Sequence, residues 1–449
     1  MRVLKRLWIA IKARGGLWGS VRVLLRKLRE LGVAGTVIRL SQALLWESDV
    51  GAVRSFRTWF TRNHCESAQA AQHLFKQPSV VIVGAMDLPQ CKKYRVLQKL
   101  ETFESMSIPV QISHYMDSPR VLSSLQLCTH VLFYRIPLGD VTGQYLKEAR
   151  RLGLHISYDI DDPIFDRPTY AANKNLSTLS ATEREHLLRS SAQYQEILPL
   201  VDYCLTSTPA LAALLERHTG KQAGVWPNLL DSESWSIIKE LELNAPQPSA
   251  APGEDGQSCR IGYMSGSRAH DADFAEVAEV LAALMEKHQH LELMLGGHFT
   301  LPDCLLPFSA RITGLPFAGY AAYFAQLQQL DINIVPLLMD DFNNCKSAIR
   351  YLESAAMGVP SVASQIGEFV HVVKQAETGY LAATASDWSE HLEALISNPT
   401  LRKKVGAAAR QQVAAEYSLH AKHEALQRCV TSLGIAPDTI EADASAGAH

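Results

Sequence analysis

Short apolar runs alternate with longer helix-patterned stretches twice along this chain, and that alternation restricts the fold more than any other feature. SVVIVGA (79–85), PVQIS (109–113), THVLFYRIP (129–137), LHISYDI (154–160) and YCLTS (203–207) read as buried strands, with helical patterns between them, notably at 140–152 and 181–198. A second series opens near 259 with RIGYMSG. It continues through a helix at 272–288, LELMLGG, RITGLP, a helix at 318–330, DINIVPL, a helix over 346–357 and VPSVAS. Strands apolar on both faces and joined by helices belong in parallel sheets covered on each side. The pattern therefore predicts two doubly wound α/β domains, at 76–241 and 259–385. They are separated by a linker at 242–258 rich in Pro, Ala, Gly and Ser. Residues 386–434 read as further helices, and the small, acidic ending at 435–449 reads as a disordered tail. Open parallel sheets bind ligands beyond the carboxyl ends of their strands, so a cleft between two such domains is the place to look for function.

Charge is unevenly distributed. The first forty residues carry ten Lys/Arg against the single acid Glu30, a charge of +9, which leaves −12 for the rest of a chain whose net charge is −3. Residues 1–75 read as a basic, helical N-terminal arm with apolar stripes at Val3, Leu4, Leu7, Trp8 and Ile11 and at Val21, Leu24, Leu25, Leu28 and Leu31. Such helices lie in an anionic membrane interface, or dock on the protein's own body. Interleaved charges exclude a spanning helix and a signal-peptide core. The acidic body and the lack of a reader motif argue against nucleic acid as a partner. Eight scattered Cys without a CxxC pair fit free thiols in a reducing cytosol.

Chemistry-bearing residues cluster just after strands. In NNCKSAIRYLESAAMGVPSVAS (343–364), a helix capped by Asn343 or Asn344 and ended by Gly358 puts Lys346, Arg350 and Glu353 on one face, with Ser347 beside them. A cation at a helix start makes an anion site, and a carboxylate two turns on can take sugar hydroxyls, which together describe a nucleotide. SGSRAHDADF (265–274) supplies Ser265, Gly266 and Ser267 for close backbone approach to a diphosphate, Arg268 as a bidentate cation, and His270. YDIDDPIFD (158–166) crowds Asp159, Asp161 and Asp162 together, which is costly unless they face water, a metal or a substrate, or cap a helix or loop. No Gly-at-six calcium loop follows, so no metal site is assigned. QCKKYRV (90–96) is read as a loop carrying Lys92, Lys93 and Arg95, with Arg95 either a functional residue or a solvated surface charge.

The 343–364 segment resembles the donor-binding helix of glycosyltransferases with the GT-B fold, family four in particular. GVPSVAS at 358–364, GE at 367–368 and TGYLA at 378–382 fall where that family has its motif, next loop and strand. The likeness covers about 79–420 and is strongest over 259–384. It implies two Rossmann-like domains facing a cleft, with Lys346, Arg268 and the 265–267 loop stabilising a departing diphosphate and Glu353 holding ribose. It further implies a nucleoside-diphosphate sugar donor, retention of configuration, no metal or other cofactor, and a glycan or lipid-linked acceptor. A similar YDIDD segment occurs in bacterial surface-glycan transferases, lipopolysaccharide enzymes among them, facing the cleft from the acceptor side, which implies that Asp161 or Asp162 orients or deprotonates an acceptor hydroxyl. The expected place is the cytoplasmic face of the plasma membrane. One departure stands out: where the family carries its first Glu, which approaches the donor sugar, this chain has Cys345. Two rivals share the fold, a sugar-nucleotide epimerase and a non-catalytic scaffold in a glycan-assembly complex.

Overall fold

The computed structural model describes residues 78–244, 258–265, 270–297 and 300–435. The N-terminal arm, most of the linker and residues 436–449 lie outside the described residues, as do Gly266, Ser267 and Arg268.

Both apolar series become six-stranded sheets, and every pairing in them is parallel. The first holds β1 (Val80–Gly84), β2 (Val110–His114), β3 (His130–Tyr134), β4 (His155–Asp159), β5 (Tyr203–Thr206) and β6 (Ala223–Val225), in the order β2-β1-β3-β4-β5-β6. The second holds β7 (Cys259–Met264), β8 (Leu291–Gly296), β9 (Ile312–Leu315), β10 (Ile332–Val335), β11 (Ser361–Ser364) and β12 (Tyr380–Ala382), in the order β12-β11-β10-β7-β8-β9. Strand order reverses between β1 and β3 in one sheet and between β7 and β10 in the other. These are the crevices where open α/β sheets take ligands.

Side-chain alternation builds a core on each face of each sheet. Val81 and Val83 pack among Phe133, Tyr145 and Ile156, while Val80 and Ile82 point the other way onto Phe103 and Trp226. In the second sheet Leu293 and Leu295 join Phe274 and Leu281, and Met294 joins Phe324 and Tyr351. β6 was not anticipated, because AGV carries no apolar run; it pairs with β5 through Cys204↔Ala223 and Leu205↔Gly224.

The chain crosses between the domains twice, side by side. Leu230 and the helix Ser232–Leu243 already pack on the second domain, through Leu230 and Ile238. The helix Pro399–Glu416 lies on the same domain. Leu230 and Ser418 then form a parallel backbone bridge, and Leu419, Leu426, Val430, Leu433 and Ile435 close over Val80 and Ile82 of the first.

The helix expected over 346–357 is two pieces: Asp341–Asn344, capped by the side chain of Asp340, and Ile349–Ala356. Cys345 to Ala348 form the break between them. Lys346 is therefore on the connecting loop and not in the first helical turn. Asn343, expected as a cap, is instead buried and bonded to Asp273 and Leu338. The physical reason is packing across domains. Phe342 and Cys345 are 6% and 4% exposed because they sink into the first domain's core, which a straight helix cannot reach.

Gly358, at φ 72°, ends the second piece with a left-handed residue. Its carbonyl lies so close to Gly406 that a Cβ there would sit 1.9 Å from the oxygen. Gly406→Ala forces the helix Pro399–Glu416 off its seat, and we expect a loss of about 1–3 kcal/mol, the usual cost of overpacking, read as a lower denaturation midpoint. An unchanged midpoint would show that the two helices have slack at this crossing.

Candidate functional site

Three segments meet at the carboxyl ends of strands at or beside the switch points: Arg135 to Ile136 after β3, Ile160 to Asp162 after β4, and Asp340 to Ala348 after β10. Arg135 follows β3 in a left-handed conformation, φ 47°, rare for a residue with a side chain. That backbone turn is over-determined by its contacts. Its amide donates to the Asp159 carbonyl at 3.0 Å, and its Nη1 donates to Asp161 Oδ1 at 2.9 Å and Asp162 Oδ2 at 2.8 Å. Tyr134 adds a hydroxyl to Asp161 at 3.1 Å. The two carboxylates crowded in the sequence thus share one half-buried guanidinium. Arg135 was not singled out from sequence, and its only signal was a lone cation inside FYRIP.

From the second domain Lys346 reaches the same pair. Its Nζ lies 2.6 Å from Asp162 Oδ1 and 4.8 Å from the Phe342 ring centre, and that ring stacks on Tyr170 of the first domain at 5.6 Å. Burial opposes ionisation of Asp162, but Lys346 and Arg135 outweigh it and hold the carboxyl well below the usual carboxylate range. Ser347 Oγ accepts from Asn228 Nδ2 at 2.9 Å, and Thr208 donates to the Cys345 carbonyl at 3.0 Å. Burial pushes the Cys345 thiol up to about 12, so it remains a neutral core side chain. It does not stand in for the carboxylate that the family motif has at this place.

Glu353 is 5% exposed. Tyr94 of the first domain donates to Oε1, and Tyr323 donates to Oε2 at 2.8 Å. Burial lifts its carboxyl to about 7, with both tyrosine bonds working against the rise. Behind Tyr94, the hydroxyl of Tyr320 contacts both Tyr94 and Ser234 at 2.9 Å. Arg350, one turn earlier, leaves a buried Nη1 without a hydrogen-bond partner among the described residues. His270 closes this side: its Nδ1 is 2.8 Å from Asp273 Oδ2. Burial holds the imidazole below its ordinary value, against the pull of that carboxylate. Asp273 also accepts from Leu338 N, Asn343 Nδ2 and, across the domains, Asn175 Nδ2 at 2.9, 2.9 and 3.0 Å. Ser265 is 7% exposed at the end of β7, its amide bonded to the Gly296 carbonyl.

Arg95 requires a correction. QCKKYRV is not a loop but a helix, Pro89–Lys92, running through a π-helical turn, Lys93–Leu97, into Gln98–Ser105. The wide turn sends Tyr94 toward Glu353 and Arg95 inward. Arg95 is fully buried, bonded to both oxygens of Asp159, to the Trp226 carbonyl and to Asn228 Oδ1 at 3.0 Å. Lys99 completes the cluster at 2.8 Å from Asp159 Oδ2. No substrate can reach this guanidinium; its effect on the cleft runs through Asn228, which it holds against Ser347. Lys93 is likewise occupied, by Asp231 at 2.7 Å and by Glu233. Among the described residues no group of three or more His, Cys, Asp or Glu is placed to hold a metal ion, and no helix is long and apolar enough to cross a membrane.

Two measurements follow. Arg95→Met strands a buried carboxylate on Lys99 alone and should cost about 3–5 kcal/mol of unfolding free energy in the absence of any ligand; full stability would show that Asp159 is satisfied without it. For Glu353, the folded pKa of about 7 lies above the unfolded value, so the native state binds more protons between the two and stability falls as pH rises from about 4.5 to 7. Glu353→Gln removes this dependence. Its stability relative to the unsubstituted protein should improve across that window by on the order of 3 kcal/mol. A difference that does not vary with pH would refute the raised pKa.

Comparison with known proteins shows what this geometry is similar to. Residues 260–398 match the sequence model of the Glycosyl transferases group 1 family. The D-inositol 3-phosphate glycosyltransferase of Rhodococcus jostii (strain RHA1) is 26% identical over 252 residues, covering 51% of this chain and 52% of that protein. The match thus spans about half the length of this curated relative. Sucrose-phosphate synthase from Thermosynechococcus elongatus superposes with a TM-score of 0.54 at 13% identity, over 80% of this chain and 99% of the other. Anabaena HepE in complex with UDP-glucose gives 0.52 at 13%, over 79% and 99%. A glycosyltransferase from Rickettsia africae gives 0.51 at 10%, over 80% and 99%. The chain therefore has the GT-B fold of these structures, and residues 260–398 of its second domain are similar to the group 1 glycosyl transferases.

Proposed function

We propose that this protein transfers a sugar from a nucleoside-diphosphate sugar to a hydroxyl of a glycan, with retention of configuration and without a metal. The observation that carries the reading is the placement of Lys346. It stands at the carboxyl-end switch point of the group 1 domain, with Arg350 and His270 nearby and the carboxylates of Asp161 and Asp162 across the cleft. Preorganised cations stabilise a departing diphosphate as it gains charge, the task a metal performs elsewhere. Lys346 and Arg350 are assigned to the diphosphate, together with Arg268 and the Ser265–Ser267 loop, of which only Ser265 lies among the described residues. His270 and Ser347 border the same anion. Glu353 is assigned to the ribose: a carboxylate has about four lone-pair positions, and its two tyrosine bonds leave others for sugar hydroxyls. Asp161 and Asp162 are assigned to the acceptor hydroxyl. The HepE structure with UDP-glucose supports a nucleotide sugar as donor. The basic arm supports a lipid-linked acceptor at the cytoplasmic face of an anionic membrane, with the arm as a peripheral anchor.

One observation favours a second reading. Cys345, buried where the family motif has a carboxylate, fits a non-catalytic scaffold that has given up sugar recognition. A thermal-shift screen against UDP, GDP, dTDP and CMP separates the two. A bound nucleotide at a hundred times its Kd stabilises by ~2.7 kcal/mol. The transferase reading expects one selective diphosphate, its shift lost in Lys346→Ala, and turnover of that variant lower by roughly tenfold to a thousandfold. No shift with any nucleotide selects the scaffold.

A further inference from the structure

We propose that Lys346 exchanges partners when the donor binds: Asp162 holds it in the empty protein, and the diphosphate takes it over, leaving Asp162 to Arg135 and open to an acceptor hydroxyl. The exchange rests on the donor-site reading above and adds an order to it, donor before acceptor.

The contacts divide the work between one transferable cation and one fixed one. Lys346 Nζ occupies Asp162 Oδ1 at 2.6 Å, and Arg135 Nη1 occupies Oδ2 at 2.8 Å, so both oxygens are engaged by cations. Lys346 is a point charge on a flexible stem, rooted in the loop that breaks the 341–356 helical stretch. It can swing between a carboxylate and a phosphate with little rearrangement. Arg135 cannot follow. Its planar guanidinium is tied to Asp161 at 2.9 Å as well as to Asp162, and its backbone is fixed at the strand end at φ 47°. Arg135 is thus a positioning residue that keeps Asp162 ionised and in place after Lys346 leaves. Before that, an acceptor hydroxyl would have to displace Lys346 to reach Oδ1. Asp162 and the diphosphate compete for one ammonium, and the competition must weaken donor binding by the share of molecules in which Lys346 is held.

Calorimetric titration of the full chain with UDP, or with whichever diphosphate the screen selects, tests the exchange. Asp162→Asn frees Lys346 and should tighten nucleotide binding by about threefold to tenfold, the worth of a partly exposed ion pair. In a Lys346→Ala background the same substitution should change affinity by less than about twofold, because the competitor then has nothing to hold. Asp162→Ala, which presents no polar group in need of a partner, gives an independent second variant. Asp161→Asn, which does not touch Lys346, should not tighten binding. Equal tightening with and without Lys346 would reduce Asp162 to a repelling charge and overturn the exchange, as would unchanged or weaker binding. If Lys346→Ala weakens the nucleotide while Asp162→Asn has no effect, the donor site stands and the exchange falls. If the unsubstituted protein binds no nucleotide, both fall.

Discussion

The burial of Phe342 and Cys345 in the first domain's core is the contact on which the rest of the interface depends. Two open parallel sheets have no intrinsic reason to face each other; each has its own apolar layers and would be satisfied alone. What joins them is a loop of the second domain that gives its apolar side chains to the first. Burial of one aromatic ring against Tyr170 and one thiol beneath Thr208 is enough to interrupt the helix and turn Lys346 outward. The polar contacts around it, Ser347 with Asn228 and Glu353 with Tyr94, lie within a few residues of that anchor and would lose their geometry without it.

Around that anchor most cations are already committed. Arg95, Lys99, Lys93 and Arg135 each face carboxylates, and where both partners are buried the pair holds the first domain's strand ends in register. Such pairs are costly to break but add little net stability over an apolar equivalent. Their value here is directional: they fix where Asn228, Tyr94 and the Asp161–Asp162 pair stand. Arg350 is different, with a buried guanidinium nitrogen that has no partner among the described residues. A cleft with committed cations at its walls and a less committed one at its centre is prepared for an anion.

How much of this was legible in the sequence depended on distance along the chain. The strands were legible because each is a near-continuous apolar run, and the Gly358–Ser364 segment because a helix stop leads straight into a buried strand. β6 was not, since three residues including a Gly leave no pattern to read. The site residues near 346 and 353 could be named, but not their partners. Asp159 lies 64 residues from Arg95, and Tyr94 lies 259 from Glu353. Hence Arg95 was read as a functional or a solvated charge when it is buried and structural. The break at Cys345–Ala348 was hidden for the same reason: every residue there tolerates a helix, and only a core contributed by another domain straightens the chain. Arg135 and Asp273 are each bonded to three or more groups far from them in the chain, and the lone cation in FYRIP was all the local signal Arg135 gave.

The bridge between Leu230 and Ser418 has a mechanical consequence. Both crossings between the domains run through this one place, tied by backbone bonds of 3.0 Å from Leu230 N to the Tyr417 carbonyl and 3.1 Å from Leu419 N to the Leu230 carbonyl. Two strands fastened side by side can twist together but cannot slide independently. A change in the angle between the sheets must then turn about this seam, as a book turns about its spine. The cleft edge far from the spine travels furthest. Residues beside the spine would travel least in such a turn, so it would leave the packing of the crossings intact.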